Sequence, residues 1–122
     1  MKFTLDTGDS ANLIRGYSAT GIRVGDQEIH GSCIVTADRF LNWEPTSFAE
    51  LRMEHLEKIF GLAPDVVLLG TGMTQRFAPP EIRAAFAARK IGLEAIDLGA
   101  TCRTFNILVQ EERRVAAALF LS

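Results

Sequence analysis

Residues 92–106 read GLEAIDLGATCRTFN. Gly92 turns the chain into Leu93 to Ile96, a short apolar run of strand length. Asp97-Leu98-Gly99 leaves that strand. From Ala100 to about Glu111 the spacing predicts a helix, with Phe105, Leu108 and Val109 on one face and Gln110, Glu111 and Glu112 on the other. Strand, turn and helix in succession point to an α/β fold. The same stretch also gathers an acid, a cysteine, an arginine and an asparagine, the densest local chemistry in the chain.

The flanking segments extend the pattern. Upstream, Asp65 to Leu69 (DVVLL) is a continuous apolar run bounded by Pro64 and Gly70. That is how a central strand covered on both faces reads. Pro79-Pro80 suits the first turn of a helix, whose stripe is Ile82, Ala85, Phe86 and the stem of Arg89. Lys90 falls in its last turn, where positive charge suits the helix dipole. Strand, helix and second core strand make one βαβ unit, expected to be right-handed. Downstream, Arg113-Arg114 lead into Val115 to Leu121 (VAAALFL), which predicts a fully buried strand. Its alanines call for a helix lying close against it.

Further out the reading is β-rich. In residues 12–38, Leu13, Ile14, Tyr17, Ile22, Val24, Ile29, Ile34 and Val35 alternate with polar residues at about period two. Gly16, Gly21, Gly25-Asp26 and Gly31 punctuate them. Arg23 points away from the Ile22 and Val24 face. Gln27 to Thr36 reads as one long bent strand with Cys33 as a small core residue, and His30 as a solvated turn residue. Residues 39–46 read as a loop in which Trp43 is a lid over the core edge or part of an interaction surface. Ser47 and Glu50 form a capping box that opens a helix. Phe48, Leu51, Leu56, Ile59 and Phe60 recur along it, and Gly61 is its left-handed C-cap. His55 has no second ligand at i+4 and reads as a helix residue rather than a metal ligand. Residues 1–11 read as a loose lead-in, with Phe3 and Leu5 in a short strand. Asp6-Thr7-Gly8 resembles the triplet of aspartic proteases, but those need two converging carboxylates, so it is read as a turn.

The bulk properties narrow the function classes. A length of 122 residues predicts one domain spanning 1–122, large enough to bury its own core. A net charge of −2 gives no general attraction for nucleic acid or an anionic membrane. Cys33 and Cys102 form no C-x-x-C pair, which argues against a zinc site or disulfide scaffold and suits a reducing compartment. MKFTLDTGD has neither an apolar signal core nor an Arg-rich amphipathic helix, so no targeting peptide is expected there. The longest apolar run, Val115 to Leu121, is too short to span a bilayer. No repeat, low-complexity tract or linker interrupts the chain.

Three constellations can carry chemistry. Gly70-Thr71-Gly72 follows a strand, where open α/β sheets bind ligands, and Asp97 lies 25 positions beyond Gly72. This mimics half of a dinucleotide fingerprint. However, the third glycine is missing, the helix starts late, and no Gly-Lys-Ser/Thr follows. The competing reading is a tight turn in which Thr71 bonds its own loop. Cys102 sits near a helix N-terminus beside Arg103, and both features favour a thiolate; against that stands burial as a small apolar thiol, and no histidine is placed beside it. Arg103, Thr104 and Asn106 can face the Gly70–Gly72 loop and hold a carboxylate or phosphate. Alternatively Arg103 pairs with Asp97 or Glu94, and Asn106 satisfies loop carbonyls.

The residues E-A-I-D-L-G-A-T-C-R-T-F-N (94–106) and R-R-V-A-A-A-L (113–119), with GIRV, SCIVTAD and VVLLGTG, carry a resemblance. From about residue 12 onward the chain resembles a small uncharacterised α/β family. That family includes the mitochondrial complex I assembly factor 3 and bacterial and archaeal proteins of unknown function. The resemblance implies a three-layer α/β fold with a mixed, mostly parallel central sheet of about five strands and one antiparallel strand. It implies no catalytic residues, cofactor or metal. It points to a bacterial, cytoplasmic protein that engages other proteins, respiratory complex components among them, and not nucleic acid. The expected function is therefore a non-enzymatic interaction or assembly factor, with exposed Trp43 and Phe77 as contact points. The alternative is a small anionic-ligand protein or enzyme using Gly70, Thr71, Gly72, Asp97, Cys102, Arg103, Thr104 and Asn106.

Overall fold

The computed structural model describes residues 11–122. The Phe3–Leu5 strand and the Asp6-Thr7-Gly8 turn lie outside the described residues. In chain order the elements are β1 (Ile14–Tyr17), β2 (Gly21–Val24), β3 (Gln27–His30), β4 (Cys33–Val35) and β5 (Phe40–Asn42). Two 3-10 turns (Phe48–Glu50 and Met53–His55) precede α1 (Leu56–Phe60). Then come β6 (Val66–Thr71), α2 (Pro80–Ala88), β7 (Gly92–Ile96), α3 (Leu98–Gln110) and β8 (Val115–Phe120).

Among the described residues the strands form two sheets. β1-β2-β3 is an antiparallel meander. The second sheet has the order β5-β4-β8-β6-β7. β6 runs parallel to both β7 and β8, while β4 runs antiparallel to both β5 and β8. The sheet is therefore mixed: two of its four pairings are parallel and two antiparallel, and β4 is the one strand that runs against the other four, the single antiparallel strand that was expected. β8, the last strand in sequence, is the central one. It is buried at every residue, as its unbroken apolar run predicts.

Strand alternation sorts the core into two clusters. Cys33, Val35, Leu68, Val115, Ala117 and Leu119 face α3 and the meander, where they meet Leu98, Cys102, Phe105 and Val109 together with Ile22, Val24 and Ile29. Ile34, Val67, Leu69, Ala116, Ala118 and Phe120 face the other way, toward Leu56, Ile59, Ile82 and Phe86. Phe86, Phe105 and Phe120 are fully buried or nearly so, each contributing about 2–3 kcal/mol of hydrophobic burial. The alanines of β8 leave room for side chains from both sides. Arg89 lies over the Phe60 ring at 4.1 Å, so its contribution to the α2 stripe is a cation–π contact.

Several local expectations fail for identifiable reasons. Gln27 to Thr36 is not one strand: Gly31, at φ +87°, breaks it, and β3 and β4 enter different sheets. The loop at 39–46 contains an edge strand, β5. Trp43 is buried, donating from Nε1 to the His55 carbonyl at 3.0 Å and lying 5.0 Å from the Phe120 ring, so it is no surface contact point. The Ser47 side chain makes no cap bond. Glu50 instead accepts from the Thr46 amide at 3.0 Å and its hydroxyl at 2.8 Å, and the predicted helix starts as two 3-10 turns. Gly61 is right-handed, at φ −63°; the left-handed residues after the helices are Ala63, Lys90 and Glu112. Lys90 thus lies beyond α2, in its exit turn. β7 is an edge strand and only partly covered, not a core strand.

Candidate functional site

The Gly70–Gly72 stretch ends β6, and its polar groups are committed to neighbouring backbone. Thr71 is buried; its hydroxyl donates to the Thr74 carbonyl at 2.8 Å and accepts from the Arg76 amide at 3.2 Å. The Gly72 carbonyl accepts from Leu98 N–H at 2.8 Å. A Cβ on Gly70 would sit 3.3 Å from Thr101 Oγ1 and 3.1 Å from a Leu119 methyl. At Gly72 it would lie 2.8 Å from the backbone of Ser122. The glycines are required by close approach of α3 and of the chain segment after β8. The tight-turn reading with Thr71 bonding its own loop is the one observed.

Asp97 caps α3. Its Oδ1 accepts from the Ala100 amide at 2.9 Å, which satisfies one of the free N–H groups of the first turn. The Thr101 hydroxyl donates to the Asp97 carbonyl at 2.8 Å. The acid in the motif is thereby used to start a helix. It is not directed toward a ribose.

Cys102 is buried on α3, and burial pushes its thiol up to about 12; nearby Arg103 pulls the other way and is outweighed. Cys33 on β4 is raised to about 12 by burial and by its neighbour Cys102. Both are free thiols. At neutral pH both stay protonated, so neither is poised as a nucleophile.

Arg103, Thr104 and Asn106 do not converge on Gly70–Gly72. Asn106 reaches the meander: its Oδ1 accepts from Ile14 N–H at 2.8 Å, and its Nδ2 donates to the Ile14 carbonyl at 2.9 Å. Arg103 is exposed on the side of α3 that carries Gly99 and Ile107. A Cβ on Gly99 would lie 2.5 Å from the Tyr17 hydroxyl oxygen and 3.4 Å from the Arg103 guanidinium, so the Tyr17 ring and the Arg103 side chain both approach that glycine. Thr104 is half-buried beside them in sequence. The local sequence marks Tyr17 only as a strand residue, because its neighbour on α3 is more than eighty positions away. Gly99, a glycine inside a helix start, is the signal that something packs there.

The larger cavities lie elsewhere. A groove of about 480 Å³ runs between α2 and β7, bounded by Phe77, Arg83, Phe86, Ala87, Ile91 and Leu93. Another of about 480 Å³ is bounded by Asp38, Arg39, Leu62, Pro64, Arg113 and Arg114. Neither is lined by any of the residues from Gly70 to Gly72 or from Asp97 to Asn106. Phe77 is 84% exposed, and Met73, Ile107 and Tyr17 are also exposed apolar side chains. Among the described residues no group of three or more His, Cys, Asp or Glu side chains is placed to hold a metal. No described helix is long and apolar enough to cross a membrane.

A family model described as protein of unknown function (DUF498/DUF598) matches residues 14–120. The chain is 31% identical over 112 residues to NADH dehydrogenase [ubiquinone] 1 alpha subcomplex assembly factor 3 of Danio rerio, covering 90% of this chain and 64% of that protein. Identity to the Homo sapiens protein of the same name is 26% over 111 residues, covering 89% of this chain and 60% of that one. The chain thus spans less than two thirds of the length of these relatives. It is also 29% identical over 96 residues to the 13 kDa major membrane protein of Francisella tularensis, covering 75% of this chain and 76% of that protein. Among solved structures, the NMR structure of a Xanthomonas campestris protein matches with a TM-score of 0.83 at 34% identity, covering 99% of this chain and 92% of that one. A Bordetella pertussis protein described as a Mth938-like domain matches with a TM-score of 0.82 at 27% identity, covering 98% and 92%. A protein described as an outer membrane protein from Bartonella henselae matches with a TM-score of 0.83 at 29% identity, covering 92% and 96%.

Proposed function

The chain belongs to the DUF498/DUF598 family of proteins of unknown function, and from that membership we propose that it is a non-enzymatic interaction factor that holds partner proteins during assembly of a larger complex. The observation that carries this reading is the likeness to the complex I assembly factors, which extends over nine tenths of this chain. The chemistry of the motif region supports it. Asp97, Thr71 and Asn106 spend their polar atoms on backbone groups, and Cys102 is held as a buried thiol. These residues stabilise a scaffold whose outside carries exposed Phe77 beside the β7 edge, exposed Tyr17 on β1, and Arg103 and Ile107 along α3.

The working compartment we propose is the cytoplasm, at the face of a membrane-bound respiratory complex. Buried free thiols fit a reducing compartment, and the membrane names of two bacterial relatives fit work next to a membrane. Affinity capture of the tagged chain from extract of its own cells, with quantitative mass spectrometry, tests the reading. Reproducible enrichment of respiratory-complex subunits over a tag-only control is the expected result. Recovery of no protein above that control overturns it.

A further inference from the structure

The two edges of the five-stranded sheet are finished differently. β5 is three residues long, and Lys58 Nζ donates to its Asn42 carbonyl at 2.9 Å while pairing with Glu44 at 2.8 Å. β7 is five residues long and, among the described residues, pairs only with β6. In a parallel ladder, alternate residues turn both backbone groups toward the neighbouring strand. Gly92 N–H donates to the Asp65 carbonyl at 3.1 Å, which assigns Gly92, Glu94 and Ile96 to that inner set. Leu93 and Ala95 therefore present their N–H and C=O groups outward. Gln75 provides independent support for this phase: its Nε2 donates to the Ala95 carbonyl at 3.0 Å. Leu93 N–H, Leu93 C=O and Ala95 N–H are left open along the edge, and no described residue bonds them. The 480 Å³ groove floored by Phe86, Ala87 and Ile91 lies directly beside these groups, with Phe77 84% exposed at its margin.

We propose that the β7 edge and this groove dock an extended segment of another protein with the pattern apolar–Lys/Arg–apolar. This rests on the interaction-factor reading and names where the partner binds. A strand is the occupant because open donors and acceptors on alternate residues are matched by another extended backbone. Incoming residues opposite Leu93 and Ala95 share their face and enter the apolar groove. The residue between them lies across from Glu94, which borders the groove and is exposed, its side chain alternating to the other face of the strand. A cation there is favoured, and a carboxylate is disfavoured. The same rule argues against a second copy of the chain. The register that pairs Leu93 with Ala95 of a copy, and so uses both open residues, sets two Glu94 carboxylates directly across from each other.

The test uses two capped peptides, Thr-Val-Lys-Ile-Thr and Thr-Val-Glu-Ile-Thr, titrated into the full chain and followed by amide NMR and fluorescence anisotropy. The lysine peptide is expected to bind about threefold tighter, shifting the Leu93, Ala95 and Phe77 amides. Glu94→Lys, an exposed change that leaves the fold intact, reverses that preference. Ala95→Pro, which removes an open donor at an edge where proline is tolerated, abolishes binding of both peptides. Binding of neither peptide, shifts confined to other surfaces, equal affinity in the wild type, or a wild-type dimer with its β7 amides already protected each overturns the proposal. If the wild type and Glu94→Lys capture the same partners from extract while neither peptide binds, the docking site is wrong and the interaction-factor reading stands. If the wild type captures nothing, that reading fails.

Discussion

The Asn106 side chain binds both backbone groups of Ile14, accepting from its N–H at 2.8 Å and donating to its C=O at 2.9 Å, across 92 positions of sequence. One amide thereby attaches the β1-β2-β3 meander to α3, which itself packs on β6 and β8. Asn106→Ala leaves a part-buried donor and acceptor unpaired. The expected loss is about 2 kcal/mol, read from urea unfolding. The loss is local in character. Amide exchange in β1 and β2 accelerates more than exchange in β6 and β8, and a uniform acceleration in all four strands would show that the clasp is not what holds the meander.

Stability is expected to depend on pH through the two thiols. Both are raised from an ordinary value of 9.0 to about 12. An acid whose folded pKa is raised is kept neutral by the fold, while the unfolded thiol ionises from about pH 9 upward. The contribution is therefore fully present below pH 9 and is lost as pH rises from 9 toward 12. A urea series between pH 7 and pH 11 on wild type and on Cys102→Ala checks this. The variant, though less stable at pH 7 for want of a buried side chain, loses less further stability at high pH.

The same burial sets thiol reactivity. Modification of native Cys33 and Cys102 by a disulfide reagent at neutral pH proceeds only as fast as the chain opens, far below the rate for an exposed thiol peptide. A Cys102 that reacts faster than the peptide would restore the nucleophile reading that the geometry disfavours.

Glycine substitution has opposite signs at two kinds of position. Lys90 and Glu112 hold positive φ, at 60° and 63°, in turns that close α2 and α3. Lys90→Gly and Glu112→Gly relieve that strain and raise stability by about 0.5–1 kcal/mol each. Gly72 is at φ +90°, and a Cβ there would meet the Ser122 backbone at 2.8 Å. Gly72→Ala therefore lowers stability, by about 2 kcal/mol or more once strain and overlap are combined. Thermal unfolding of the three variants side by side provides the comparison.

Much of this protein is determined by short-range pattern. The unbroken VAAALFL run yields a strand covered on both faces, and it is the centre of the sheet. Pro80 opens α2, and the strand–helix–strand order of β6, α2 and β7 follows from apolar spacing alone. The family was legible in residues 94–106 and 113–119, because the first joins the end of a strand, a helix cap and a packed helix start, and the second leads into the central strand β8. What only the tertiary structure decided is the partner of each polar side chain. Asn106 sits in the motif, but the backbone it satisfies is 92 positions away, and the Tyr17 ring packs against Gly99 from a strand 82 positions earlier. Periodicity tells which face a residue occupies and nothing of what the opposite face brings to it. For the same reason Gln27–Thr36 looked continuous, although the chain changes sheets at Gly31. The charged and polar residues of 92–106 read as a site in one dimension. In three dimensions Asp97 and Asn106 close helix and sheet ends, because buried backbone groups must be paired, and the backbone groups that no described residue bonds lie instead on β7, at the start of that same stretch.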